Sequence, residues 1–280
     1  LEETDIHGLT LAPGCAHSHT HLMYASVVPR ISPRVASASA VAALFMDELD
    51  RDTQGIAIPR PEVQLVVRFG PSMPTGLDVH ALGGRQQVHR KLLRSGQRVV
   101  GVRLQLGATE AVLGVPASAI AGRIIALEEL WGAAKTRRLC GRLAGARDTF
   151  EAAAVLESAI AERLAHGDGG GRSARLVLAA ADRLTSANVN AVARDLGVSE
   201  RHLRRVFHEA TGVGPKTFAQ LARFRRAVRA ARDKNHAGWA MIAVAAGYYD
   251  QAHLISEFRT IAGVTPEALL RELRAAQSIM

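Results

Sequence analysis

The chain has 280 residues, 48% of them hydrophobic and 22% charged, with a formal net charge of +9 at neutral pH. That length supports two domains, each with its own core. No apolar run is long enough to span a bilayer and no low-complexity tract is present, so a globular protein without a membrane partner is expected. The opening LEETDIHGLT has neither a basic n-region nor an apolar h-region and does not read as a signal peptide. Only Cys15 and Cys140 are present, far apart and without metal spacing, which fits a reducing cytoplasm.

Histidines alternate at His17, His19 and His21. On a strand they share one face at about 6.7 Å spacing, and two can converge on a metal. A cupin-like metal site opens with such a His-x-His, then needs a carboxylate nearby and another His across the barrel. No acidic residue follows until Asp47, although His80 or His89 is available as the distant ligand. The expectation is that these histidines are packed or exposed and that no metal or other cofactor is bound. A cupin-like metal-binding enzyme or metal sensor is the alternative.

Strand signals follow. Residues 19–28 and 77–82 carry weak ones. In 63–69, Val63, Leu65, Val67 and Phe69 share a face. In 98–106, Val100, Val102, Leu104 and Leu106 do so, opposite Arg103 and Gln105. After Gly114 the pattern changes, and 116–122, 127–131 and about 148–165 read as helices. The first domain is expected to be a small β-barrel or sandwich with attached helices. Glu128 and Glu129 are consecutive and do not face each other on a helix. Neither a Gly-x4-Gly-Lys-Ser/Thr loop nor a Gly-x-Ser-x-Gly elbow is present, so no enzyme is expected.

The stretch 166–171 (HGDGGG) neither continues a helix nor builds a strand. It divides the chain into an effector-binding or dimerisation domain at 1–166, a linker at 167–171 and an all-α domain at 172–280, an α+β chain. Residues 172–280 hold 17 Lys+Arg against 9 Asp+Glu, a net of +8, whereas residues 1–171 hold 18 against 17, a net of +1. A basic field concentrated in this way suits a polyphosphate partner, because each neutralised phosphate releases counterions.

Helices are expected at 173–184, 189–196, 200–210, 216–232, 239–246, 251–262 and 267–275. This part repeats at an offset of 51: His202, Leu203, Phe207, Gly212, Val213 and Pro215 recur as His253, Leu254, Phe258, Gly263, Val264 and Pro266. Gly197 and Gly247 sit 50 apart, so one extra residue separates the second glycine from its helix. A repeated helix, glycine turn, helix is a tandem pair of helix-turn-helix units. Ser199 and Asp250 are good N-caps for the second helix of each.

In the first unit Leu203, Val206, Phe207 and Ala210 form a buried stripe, while Arg201, Arg204, Arg205 and His208 project opposite. Arginine can bond O6 and N7 of guanine together, so this stripe suits the major groove. In the second unit Leu254, Phe258 and Ile261 are the packing side, and Gln251, Ala252, Ile255, Ser256 and Arg259 face out. A Gln can read adenine, and Ala252 or Ile255 can touch a thymine methyl. The spacer 216–232 spans about 25 Å, enough to set two reading helices about one DNA turn apart. Ser199, Lys216, Arg225 and Arg226 are phosphate-contact candidates.

The segment from about Leu176 to Leu273 resembles the DNA-binding domain of the AraC/XylS family of bacterial transcription regulators. The resemblance rests on VARDLGVSERHLRRVFHEATGVGPKTF and VAAGYYDQAHLISEFRTIAGVTPEALL. It implies base contacts by Arg201, Arg204 and Arg205, and by Gln251, Ala252 and Ser256, the last a position where the family often has Arg. Double-stranded operator DNA, RNA polymerase, a small-molecule effector and a second copy in a homodimer are the implied partners. Upstream, the stretch 98–107, LGVPASAI and Leu130-Trp131-Gly132 resemble a sensory domain attached to some of these regulators.

Overall fold

The computed structural model describes residues 40–71, 73, 75–165, 171–233 and 238–278. In the first domain β1 (Val41–Glu48), β2 (Thr53–Ala57), β3 (Gln64–Phe69), β4 (Leu77–Leu82), β5 (His89–Leu93) and β6 (Arg98–Leu104) are followed by the short helices α1 (Thr109–Leu113) and α2 (Ala117–Ile120). Then come β7 (Ile124–Ala126), α3 (Leu127–Trp131), α4 (Ala133–Ala144) and α5 (Thr149–Ala165). Five strands form one antiparallel sheet in the order β1-β6-β3-β4-β7, and β2 and β5 form a separate antiparallel ribbon.

The alternating strands deliver one apolar face. Leu65, Val67 and Phe69 of β3, Leu77, Val79 and Ala81 of β4, and Val100, Val102 and Leu104 of β6 join one core with Leu139 and Leu143 of α4 and Leu156 and Ile160 of α5. Full burial of each large side chain contributes about 1.5–3 kcal/mol. Ala152, Ala153 and Ala159 on the same stripe of α5 keep that helix close to the sheet. The opposite face holds a smaller cluster of Phe45, Val66 and Val99. The Phe45 ring lies where a side chain at Gly101 would stand, 2.1 Å from an added Cβ.

Two expected elements are shorter than their patterns. The strand at 98–106 ends at Leu104 because the chain turns there, the Ala108 N–H donating to the Gln105 carbonyl at 3.0 Å. The helix at 116–122 covers only Ala117–Ile120 and is capped at Ala121, after which Gly122 turns the chain at φ +72°. The weak strand expected at 19–28 lies outside the described residues.

The second domain is helical: α6 (Gly171–Arg183), α7 (Val189–Asp195), α8 (Glu200–Thr211), α9 (Pro215–Arg232), α10 (Trp239–Ala246), α11 (Gln251–Ala262) and α12 (Pro266–Ser278). It has two cores. Val177, Leu184, Val192, Leu203, Phe207, Val213 and Phe218 form the first. Leu221, Phe224, Ile242, Leu254, Phe258, Ile261 and Leu269 form the second, joined by Ile56 from the ribbon. Aromatic pairs sit in both cores, Phe207 edge-on to Phe218 with centroids 5.2 Å apart and Phe224 tilted on Phe258 at 4.6 Å.

Ion pairs and close backbone packing fix these parts. Glu257, on the buried side of α11, accepts from Arg223 of α9 at 3.0 Å and from the Tyr248 hydroxyl at 2.7 Å. Burial, then the hydrogen bond to Glu257, hold that phenol well above its usual range. Replacing Glu257 by Ala strands the buried Tyr248 hydroxyl and the half-buried Arg223 guanidinium and is expected to cost about 3 kcal/mol, read as a lower urea midpoint of the helical circular dichroism signal. Gly83 lets β4 pass under α2, since an added Cβ would lie 1.7 Å from the Ile120 carbonyl oxygen. Gly83→Ala is expected to destabilise by about 1–3 kcal/mol in the same assay.

Candidate nucleic-acid interface

Each candidate reading helix is capped by the side chain its sequence supplies. The Ser199 hydroxyl accepts from the His202 N–H at 3.2 Å, and the Asp250 carboxylate from the His253 N–H at 2.7 Å. Both helices end on a left-handed glycine, Gly212 at φ +75° and Gly263 at φ +73°. The repeat is therefore a repeat of cap chemistry as well as of core positions.

On α8 the two stripes separate as the spacing requires. Leu203, Val206 and Phe207 are buried, and Arg201, Arg204, Arg205 and His208 are exposed. Arg204 pairs with Glu200 one turn back, its Nε donating at 2.8 Å. Arg205 reaches Glu209 one turn ahead at 3.2 Å and its Nη2 lies 3.4 Å from His202 Nδ1. The Arg204 hydrogen bond draws the Glu200 carboxyl below its usual range. Exposed pairs of this kind are screened by solvent and contribute little, so both guanidiniums can exchange carboxylate for base edge or phosphate at little cost. Among the described residues Arg201 makes no ion pair or side-chain hydrogen bond, so its fork is free.

On α11, Gln251, Ala252, Ser256 and Arg259 are exposed. Ile255 is half-buried and packs on the second core, which leaves only part of it for a thymine methyl. A groove of about 1030 Å³ runs between the two units, with Asn188, Glu200, Arg204, Lys216, Gln220 and His253 on its walls. Lys216 is exposed on the first turn of α9.

The arginines of α9 have structural tasks that the spacing did not reveal. Arg225, read as a phosphate candidate, is 18% exposed at its side chain and donates to Glu62 of the first domain at 3.1 Å. A phosphate role for it requires that pair to open. Arg226 donates from Nη2 to the Ala246 carbonyl at 2.9 Å, and from Nη1 and Nη2 to the Thr185 carbonyl at 3.3 Å each. It thereby ties the end of α10 to the loop after α6, one unit to the other. Arg223 serves Glu257, as above. The missed signal is Glu257 itself, a carboxylate set among Leu254, Phe258 and Ile261, which needs a cationic partner.

The first domain touches both reading helices at their C-terminal ends. An added Cβ on Gly212 would lie 2.8 Å from the Ala121 Cβ beside α2. The Val88 N–H donates to the Ile261 carbonyl at 2.9 Å, and Arg90 of β5 donates to Glu272 at 2.8 Å and to the Ala262 carbonyl at 3.2 Å. Among the described residues Arg201, Arg204 and Arg205 of α8 and Gln251, Ala252 and Ser256 of α11 stay exposed.

The His17, His19 and His21 set lies outside the described residues. His80, one of the distant-ligand candidates, has its Nδ1 3.4 Å from Asp78, which also accepts from Arg68 at 2.9 Å, and His89 is exposed. Among the described residues no three His, Cys, Asp or Glu side chains group as a metal site, and no helix is long and apolar enough to cross a membrane. Trp131 is buried and donates to the Val112 carbonyl at 3.0 Å, whereas Phe150 is 62% exposed.

Comparison with known proteins places the helical half. Residues 192–272 match a family model described as a helix-turn-helix domain. No curated protein sequence matches the chain. Similar solved structures include the DNA-binding domain of AdpA, a global transcriptional factor in complex with a target DNA, at 25% identity over 37% of this chain and 93% of that chain, with a TM-score of 0.33. ToxT from Vibrio cholerae is similar at 12% identity over 82% of this chain and 96% of that chain, TM-score 0.39. Its unsaturated-fatty-acid-bound form gives 10% identity over 82% and 96%, TM-score 0.41. The chain carries, over residues 192–272, a helix-turn-helix domain of the AraC type.

Proposed function

We propose that the chain is a sequence-specific transcription regulator that reads operator DNA with α8 and takes register from α11. The observation that carries this is the exposed row Arg201, Arg204 and Arg205 on a capped helix whose other side is locked into a core. Such a row can present planar forks to guanine edges while Phe207 and Leu203 hold the helix rigid. His208 extends the row. Gln251, Ala252 and Ser256 supply weaker readout from α11, with part of Ile255, and Arg259 lies further along it. Ser199 and Lys216 are the phosphate contacts.

The boundaries we adopt are a sensory or dimerising domain at 1–166, a linker at 167–171, whose last residue, Gly171, already opens α6 contrary to the glycine-based expectation, and the DNA-binding domain at 172–280. A small-molecule effector in the first domain would bias the DNA-competent population, because that domain grips the ends of both reading helices. The regulator works as a homodimer in the bacterial cytoplasm, adjacent to RNA polymerase, and has no catalytic step.

Selection of bound sequences from a random duplex pool at physiological salt tests the reading. A motif with two elements about one helical turn apart is expected; recovery of no motif with or without cell-extract metabolites overturns it. On the recovered operator, Arg205→Ala is expected to lose about 1–3 kcal/mol and to relax preference at one base pair. A uniform loss across base substitutions would remove Arg205 from base readout. Lys216→Ala is expected to flatten the slope of log K against log salt by about one unit, whereas Arg226→Ala lowers the melting temperature more than it changes that slope.

A further inference from the structure

Three guanidinium groups, those of Arg60, Arg103 and Arg225, gather around one carboxylate where the first domain meets α9, and Arg229 adds its charge beside Arg60. Glu62 accepts from Arg225 at 3.1 Å, and the two side chains are only 15% and 18% exposed. Arg103 on β6 stands opposite Gln64 on β3, two residues beyond Glu62, and its Nε is buried with no hydrogen-bond partner. Arg60 lies two residues before Glu62; its carbonyl accepts from the Arg85 N–H at 2.7 Å, while among the described residues its guanidinium makes no ion pair. Arg229 follows Arg225 by one turn of α9. Burial, then the neighbouring Arg103 charge, pulls Arg60 down to about 10, and burial lowers Arg103 as well. Both remain cationic at neutral pH.

Two of these cations, Arg60 and Arg103, belong to the first domain, and two, Arg225 and Arg229, to the second. With Glu62 the set carries a net of +3 in a partly desolvated seam. Like charges so placed repel, and a buried guanidinium nitrogen without an acceptor costs further free energy. A crevice of about 640 Å³ between the residues after β4 and helices α9 and α11 is lined by Gly84, Arg85, Gln87, Thr217, Gln220 and Leu221. The Arg85 backbone N–H donates to the Arg60 carbonyl, and Leu221 precedes Arg225 by one turn, so the crevice walls adjoin the segments that carry Arg60 and Arg225. At Gly84 the chain passes so close to Pro61 that an added Cβ would lie 2.4 Å from its carbonyl oxygen, which packs that wall tightly.

We propose that this seam binds a small molecule carrying two or three negative charges, a polycarboxylate or a phosphate ester, held by the forks of Arg60, Arg103 and Arg225. This rests on the reading of the first domain as a sensor and names the class of its effector. Planar guanidinium forks match carboxylate and phosphate geometry alike. An anion between the two sets of cations replaces repulsion across the seam by attraction, and so draws the ribbon and α2 onto the DNA-binding domain.

The test uses the full chain without DNA. Citrate and inorganic pyrophosphate are titrated separately by calorimetry, with sodium chloride adjusted to constant ionic strength. Saturable one-to-one binding of at least one probe is expected, and which one identifies the source as carboxylate or phosphate. Arg103→Gln and Arg60→Gln, each first verified by its circular dichroism melt, are expected to weaken that binding at least tenfold. Arg205→Ala on α8 is expected to retain it. Absence of saturable binding by both probes overturns the proposal, as does binding that survives in the folded Arg60 and Arg103 variants or is lost in the Arg205 variant. Because no DNA is present, failure here leaves the operator selection standing, and failure of that selection leaves this site standing.

Discussion

One helix, α9, has to satisfy two cores at once. Phe218 near its start closes the core of the first unit against Phe207, while Leu221, Phe224 and Val228 further along belong to the core of the second. Because an α-helix advances a fixed rise and turn per residue, these contacts fix both the separation and the relative rotation of the units. Arg226, bonded to a carbonyl from each, and Arg223, bonded to Glu257, add polar contacts to the same restraint. Two reading helices set by one rigid spacer can address two successive grooves only if DNA repeats at the matching interval, which is how a protein fixes half-site spacing.

The first domain is attached to that rigid pair at corresponding places. Gly212 ends α8 and Gly263 ends α11, and the contacts fall at Gly212 in the first case and at Ile261 and Ala262, just before the glycine, in the second. Arg201, Arg204 and Arg205 lie toward the opposite end of α8 and stay exposed, as do Gln251 and Ala252 on α11. The grip and the reading surface therefore do not compete for side chains. Ile56 goes further and enters the second core itself, so the ribbon is a structural component of the DNA-binding half as well as of its own domain.

Much of the helical half was legible because its signals are local. A cap, a turn glycine and a 3.6-residue stripe each act within about one or two turns, and the offset of 51 shows each twice. The exposed row on α8 was legible for the same reason. Where the deciding partner is distant, the pattern was silent. Arg225 looks like any solvated arginine until Glu62, 163 residues earlier, is brought beside it. β1 reads VAALFMDE with no alternation, since Leu44 and Met46 pack on the main core and Phe45 on the smaller cluster behind it. The ribbon strands TQGIA and HRKLL escape notice because the Ile56 and Arg90 side of the pair packs on another domain. In α4 only Leu139 and Leu143 are buried, too narrow a stripe to announce a helix.

The two units differ in a way that their shared fold does not require. On α8 every arginine of the outer row is either free or held by an exposed carboxylate one turn away, and so is available to a polyanion. On α11 the outer row has Gln251, Ala252 and Ser256, Ile255 is half-claimed by the core, and the buried side is locked by Glu257 with Arg223 and Tyr248. Rigidity with a single outward arginine, Arg259, suits a unit that sets register, since a well-packed helix with few charged forks adds orientation more than binding strength. Charge on a helix anchored by Phe207 and Leu203 suits a unit that supplies affinity and base choice. One repeated scaffold thus carries two outer stripes of different chemistry, arginine-rich on α8 and mostly uncharged on α11.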